Sequence, residues 1–159
     1  MSIFITSDLH LGHERVISRF DRPFKNVRQM NEILIKNWNK TVGILDKVYF
    51  LGDLSFRSFN TEYWIPKLNG DIIFIKGNHD WFDYMPYYNN LVIKHDENYF
   101  YLVHDSQNIP QNWRGWSICG HNHNERPFFD KTTKRFNIST DVTNFKPVNM
   151  NYISYLIRK

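Results

Sequence analysis

Eight residues of types that bind divalent cations or move protons fall in five short blocks of the chain. Asp8 and His10 lie in SDLHLGH (7–13), Asp53 in GD (52–53), and Asn78 and His79 in GNHD (77–80). His104 opens HD (104–105), and His121 and His123 lie in GHNH (120–123). Five of the seven histidines are among these eight residues; of the others, His95 lies outside the blocks and His13 closes the first. Each block alone has a plainer reading, since Gly-Asp suits an ordinary turn and a single histidine can be a hydrogen-bonded core residue. GHNH is harder to read that way. On extended backbone, residues two apart face the same side, so His121 and His123 can converge on one centre. The ordered series of blocks points to a metal site. Imidazole and carboxylate oxygen suit manganese, iron, zinc, nickel or cobalt, and the lone Cys119 speaks against a structural zinc module. Seven ligand-type groups are too many for one tetrahedral ion. They suit two ions about 3.5–4 Å apart that share a carboxylate.

These blocks need elements to position them. Each follows an apolar run of strand length: IFIT (3–6), KVYFLGD (47–53), DIIFIKGN (71–78), YFYLVHD (99–105) and SICGHNH (117–123). A sixth run, RFNIST (135–140), has no such block. In α/β sheets the loops at the carboxyl ends of strands gather on one edge, where ligands bind. One helix is expected from Val27 to Val42, with Val27, Met30, Ile33, Leu34 and Trp38 at helical spacing and Asn26 and Gln29 resembling a capping box. Shorter helical turns are expected over 61–68 and 81–90, each interrupted by a proline, Pro66 or Pro86. From Pro147 onward the pattern admits either helix or strand. Alternating strands and helices give an α/β class, and no linker or repeat divides the 159 residues, so a single domain over 1–159 is expected.

A net charge of +4 favours anionic partners weakly, because no dense Lys/Arg block accompanies it. Asp8 arrives too early for a signal peptide, no apolar run has the length of a membrane span, and cysteine usage fits a reducing compartment. A soluble, cytoplasmic protein without membrane partners is expected, with its oligomeric state undetermined by the sequence.

The blocks resemble the calcineurin-like metallophosphoesterase superfamily, whose motifs D-x-H, G-D, G-N-H-D/E, H and G-H-x-H run in this order; the likeness covers Ser7 to His123. It implies two mixed β-sheets packed as a sandwich and flanked by helices. It also implies that Asp8, His10 and His123 hold one ion, that Asn78, His104 and His121 hold a second, and that Asp53 bridges them. His79 matches the catalytic histidine, with Asp80 beside it to orient the ring. The chain has no room for the capping domains of larger relatives. GDLSFRS and GNHD depart from the protein Ser/Thr phosphatase pattern, whereas His13 and RFDRPF (19–24) resemble small bacterial and phage-type members. Two divalent ions, manganese first among the candidates, would keep the centre positive even with both aspartates ionised and a hydroxide between the ions. That hydroxide would attack phosphorus in line. His79 would stabilise a phosphoryl oxygen or protonate the leaving alkoxide, help typically worth about 10²–10⁴-fold.

His13 is expected either to contact substrate or to support a ligand. Arg22 and Arg57 follow strand ends and could bind phosphate, with ordinary surface arginines as the alternative. Trp81 and Phe82 offer a stacking surface or core packing. The expected activity is hydrolysis of phosphodiesters of nucleotide or nucleic-acid type. A phosphomonoesterase is the alternative enzyme; a catalytically silent scaffold is the contrasting reading, against which the complete ligand set argues.

Overall fold

The structure, a computed structural model, describes residues 1–56, 61–80 and 85–159. Strands β1 (Ile3–Thr6), β2 (Lys47–Phe50) and β3 (Asp71–Phe74) pair in parallel in the order β3-β2-β1. The second sheet is built from β4 (Asn90–His95), β5 (Asn98–Val103), β6 (Trp116–Cys119), β7 (Phe129–Asp130) and β8 (Arg135–Asn137). Its order is β4-β5-β6-β8-β7, with β5, β6 and β8 parallel and the two outer strands antiparallel. A short β9 (Val148–Asn149) returns antiparallel to β1 and completes the first sheet. The helices are α1 (Arg15–Arg19), α2 (Val27–Thr41), α3 (Thr61–Trp64) and α4 (Met150–Arg158). Two mixed sheets flanked by helices are the architecture that the resemblance implied.

Period-two alternation explains why the first sheet is apolar on both faces. Phe4, Val48, Phe50 and Phe74 pack with Met30, Leu34 and Trp38 of α2, while Ile5, Leu51 and Ile75 turn the other way. There they meet Phe100, Leu102, Ile118 and Phe136 of the second sheet, with Met150 and Ile153 of α4. Trp38 is fully buried and donates its indole N–H to the carbonyl of Asn69 at 2.9 Å, so its loss opens the largest hole on the helical side. Trp→Ala changes of this kind cost about 3–5 kcal/mol.

Helix α2 starts where expected. The side chain of Asn26 accepts from the Gln29 amide at 2.9 Å, and Gln29 Oε1 accepts from the amide of Lys25, one residue before the cap. The 61–68 turn is α3 followed by a 3₁₀ turn (Ile65–Lys67) that begins just before Pro66. Of the 81–90 turn, 81–84 lie outside the described residues; Met85 to Asn89 are not helical and Asn90 opens β4. After Pro147 the chain forms both alternatives, strand β9 and then helix α4.

At their carboxyl ends the sheets are joined by a parallel bridge between Ser7 and Ser139, and the Thr140 amide donates to the carbonyl of Ser7 at 3.1 Å. Ligand-type side chains accumulate beside this joint. Among the described residues no helix is long and apolar enough to cross a membrane.

Candidate metal centre

The loops that leave the parallel strands bend sharply. Ten non-glycine residues among those described have positive φ, and Asp8 (58°), His10 (51°), Asp53 (60°), His121 (68°) and His123 (44°) are five of them. Left-handed backbone costs roughly 1–2 kcal/mol for most residues and is tolerated best by Asn, Asp and His. Its concentration here turns successive side chains inward where a regular strand would send them to opposite faces. Two glycines let the loops close. A Cβ at Gly77 would collide with the Asp53 carboxylate, and one at Gly120 would sit 2.5 Å from Asp8 Oδ2.

Asp8 is fully buried, and its two oxygens are used differently. Oδ2 accepts from Ser7 Oγ (2.5 Å), Ser139 Oγ (2.8 Å) and the His121 amide (3.0 Å). Oδ1 is buried with no hydrogen-bond partner. It lies 4.0 Å from His10 Nε2 and 3.9 Å from His123 Nε2. His10 Nε2 is likewise buried without a hydrogen-bond partner, and burial, reinforced by His123 and Arg22, pushes its pKa well below the usual imidazole value. A neutral imidazole and an unpartnered carboxylate oxygen aimed at one point form a donor set that fits a divalent cation. These three side chains have ligand atoms within 4.8 Å of one another, as do Asp8, Asp53 and His104.

His123 is oriented by a residue that the sequence reasoning missed. Its Nδ1 lies 2.8 Å from Asp141 Oδ2. Burial raises the Asp141 pKa, but hydrogen bonds from His123 and Arg22 outweigh this and hold it below the usual value. An ionised carboxylate only accepts, so Nδ1 donates to it and Nε2 is the ring nitrogen directed at Asp8. Arg22 supplies the other side of this pair. Its Nε and Nη2 bind Asp141 at 2.8 and 3.0 Å, while Nη1 and Nη2 donate to the carbonyls of Leu9 and Asp8 at 2.9 and 2.8 Å. Arg22 is therefore neither a surface residue nor a phosphate contact, because its guanidinium is buried and its donors are committed. The signal for Asp141 was the sixth run, RFNIST, whose end bends inward like the other five.

Asp53 stands between the two groups. Its Oδ2 lies 3.5 Å from His10 Nε2 and 3.5 Å from His104 Nε2, and its Oδ1 accepts from the His79 amide at 2.9 Å. Burial lifts its pKa to about 7; the His104 charge opposes the rise, while Asp8 and Asp80 add to it. His104 Nδ1 faces the carbonyl of Leu51 at 2.7 Å, which directs Nε2 towards Asp53. Burial lowers its pKa, yet Asp8, Asp53 and the Leu51 carbonyl together outweigh burial and raise it. A proton on Nε2 and a divalent cation beside it are alternative charges for the same position. Asn78 Oδ1 lies 2.9 Å from His104 Nε2 and 2.9 Å from His121 Nδ1, which completes the second group.

GNHD forms a turn with Asn78 and His79 exposed at its apex. Asp80 points inward, and its carboxylate accepts from the amides of Asp53 (2.6 Å), Gly77 (2.8 Å) and Leu54 (3.3 Å). It makes no hydrogen bond to the His79 ring. The expectation that Asp80 orients that ring is corrected: it fixes the two loops to each other and reaches His79 only through its charge. Burial lowers the His79 pKa and outweighs the opposing Asp80 charge. His79 lies 5.3 Å from His10, ring to ring, over the centre. His13 stacks on Phe56 at 4.3 Å and lies 6.1 Å from His79, and burial next to His79 and Arg22 lowers its pKa to about 4. Arg57, Trp81 and Phe82 lie outside the described residues.

These features define a candidate metal centre of carboxylates, imidazoles and an amide gathered at strand ends. A family model for calcineurin-like phosphoesterases matches residues 1–153, and the chain belongs to this family. It is 40% identical to protein MJ1445 of Methanocaldococcus jannaschii over 165 aligned residues, which span 99% of this chain and 92% of that protein. The fold is similar to that of protein AQ665 from Aquifex aeolicus (TM-score 0.75, 20% identity, 98% of this chain and 99% of that one). It is also similar to Vps29 from Entamoeba histolytica (TM-score 0.50, 17% identity, 87% and 73%). The family uses divalent metal ions and acts on phosphate esters.

Proposed function

We propose that the protein is a binuclear metallophosphoesterase that hydrolyses phosphodiesters of the nucleotide or nucleic-acid type. The observation that carries this reading is the equal 3.5 Å separation of Asp53 Oδ2 from His10 and His104, each the member of a distinct ligand group. Asp8, His10 and His123 would hold one ion, Asn78, His104 and His121 the other, with Asp53 shared. Manganese is the first candidate for both. Such a pair would lower the pKa of bound water and neutralise charge on the phosphate.

The chain's own residues supply the rest. Asp80 sets the distance between the Asp53 and Asn78 loops, and Asp141 holds Nε2 of His123 towards the centre. His79, exposed at the apex of its turn, is placed to deliver a proton to the departing alkoxide oxygen. Its lowered pKa makes the protonated ring a stronger acid for that step. Diesters are favoured because room flanks the centre. A cavity of about 460 Å³, lined by Asn78, His104, Asn89, Asn90 and Asn108, adjoins the more open ligand group and offers amide donors to a second substituent.

The test compares manganese-dependent turnover of bis(p-nitrophenyl) phosphate with that of p-nitrophenyl phosphate. The diester should be the faster substrate, and His79→Ala should lower its kcat by about 10²–10⁴-fold with metal still bound. Faster turnover of the monoester would replace this reading with a phosphomonoesterase. No turnover of either by metal-loaded protein would favour a silent scaffold.

A further inference from the structure

The outer face of the second sheet carries a larger cavity, of about 760 Å³, that the proposed chemistry does not use. Its walls include Arg114, Arg126, Lys134 and Arg135, against a single carboxylate, Asp130. Asp130 is already engaged, since it accepts from the amides and hydroxyls of Thr132 and Thr133 within its own turn. None of the four cations forms an ion pair among the described residues. Arg114 donates only to the carbonyls of Gln111 and Trp113, and Lys134 to that of Arg114 at 3.4 Å. Arg126 and Arg135 are exposed, and their side chains have no hydrogen-bond partner among the described residues.

Four like charges around one concavity repel one another and focus a positive potential inside it. Nothing in the fold requires that arrangement, because the floor of the cavity is formed by small or uncharged residues of β6 and β8, namely Ser117, Cys119 and Asn137. The position is informative as well. Asn122 lines the cavity and sits between His121 and His123, and Ser106 and Gln107 line it directly after His104 and Asp105. The groove therefore adjoins loops that carry residues of the metal centre and extends to the β7–β8 turn. Trp113 adds an aromatic wall of the kind on which bases stack.

We propose that this groove binds the sugar-phosphate chain that flanks the scissile bond of a single-stranded nucleic acid. The proposal rests on the phosphodiesterase reading for its placement of the scissile bond. A recessed site demands a flexible polyanion that can bend into it, which a single strand does and a stiff duplex does not. Arg126 and Arg135 would meet successive phosphates, with Lys134 at the far rim.

The test uses full-length, manganese-loaded protein and a fluorescein-labelled oligothymidine strand with phosphorothioate links, followed by anisotropy over a salt series. Wild-type protein should bind with strong salt dependence. The double variant Arg126→Gln/Arg135→Gln should bind at least about tenfold more weakly, with the log–log salt slope reduced by about 0.7 for each phosphate it no longer neutralises. Cleavage of an unmodified strand should fall at least about tenfold more than hydrolysis of bis(p-nitrophenyl) phosphate. Unchanged affinity and slope in the variant would overturn the proposal, as would a mononucleotide that competes as well as the strand. If the double variant melts at a lower temperature, Lys134→Gln in the exposed turn decides by the same binding assay. Wild-type protein that binds the strand through these arginines but hydrolyses no diester would uphold the groove and defeat the phosphodiesterase reading; the reverse result would do the opposite.

Discussion

The two proposed ligand groups each join two imidazoles to one oxygen donor, a carboxylate in one and an amide in the other, and they differ in exposure. Asp8, His10 and His123 are almost wholly buried, at 0, 2 and 5% exposure; Asp8 is held by Ser7 and Ser139, and His123 by Asp141, which Arg22 braces. In the second group His104 is as buried, at 4%, and held by the Leu51 carbonyl, but Asn78 is exposed and the side chain of His121 is 39% exposed, with Asp105 3.8 Å from its Nε2. The buried group is organised before any ion arrives, so an ion there displaces little water and costs little reordering. The second group must gather two side chains that water can reach, Asn78 and His121, around the buried His104. A tight position and a labile, substrate-facing one are expected, distinguished by the carboxylate and the burial of the first group and the exposed Asn78 and His121 of the second.

The strongest way to break this contrast is to remove the support behind the buried group. Arg22→Met leaves the buried Asp141 carboxylate with only its His123 hydrogen bond and should lower stability by about 3–5 kcal/mol, read as a shift of the denaturant midpoint. A shift no larger than that of a surface mutation would mean that the pair is not as desolvated as the 0% and 2% side-chain exposures imply.

Asp141→Asn is gentler. It retains the shape but lets the His123 tautomer change, and it should weaken binding at one position by about 10–100-fold while sparing the other. Calorimetric titration with manganese should resolve two classes of site in the wild type, and only the tighter should move.

Protonation offers a third handle. With its pKa raised to about 7, Asp53 in the metal-free fold keeps a proton that the unfolded chain releases near 3.8. This contribution therefore makes metal-free protein less stable as pH rises from about 4 to 7. Asp141 has the opposite sign: its depressed pKa contributes stability at neutral pH that disappears as pH falls through its folded-state value. An ion held by the Asp53 carboxylate removes the first effect and releases its proton. Manganese binding near pH 6 should then release protons, detectable as a buffer-dependent binding enthalpy, and at pH 8 the Asp53 share of this release should be largely lost.

The smallest effect is a control. Arg28 and Glu32 form a 3.0 Å pair on the exposed face of α2, and breaking it should cost only about 0.3–0.5 kcal/mol with no effect on metal. A larger loss would show that geometry alone, without burial, carries the Arg22–Asp141 interaction.

Local pattern made much of this legible. The five blocks could be read from the chain because each places its ligands within a few residues of an apolar run, and the long helix was marked by its spacing and its cap. Information carried across long separations was hidden. Arg22 looked like a loop arginine because its partner is 119 residues away. Asp80 seemed to belong to its neighbour His79, whereas its hydrogen bonds go to amides of a loop 27 residues earlier and to its own turn. Strand β4 escaped notice because it lies at the sheet edge, where NLVIKH alternates only between exposed and half-buried positions. Strands β7 and β9 are two residues each and leave no periodicity to detect.

The joint between the sheets also bears on how the molecule comes together in time. Ser139 reaches Asp8 across 131 residues of chain, and His121 reaches it across 113. Closing such long loops is entropically costly and comes late in the folding of proteins dominated by distant pairings. The first ligand group is complete only when β1 and β6 are docked, and the second only when β3, β5 and β6 are. A nascent or partly folded chain thus offers a metal only isolated imidazoles and carboxylates. On the proposed function, acquisition of metal would follow folding, and hydrolysis would wait until the chain is complete.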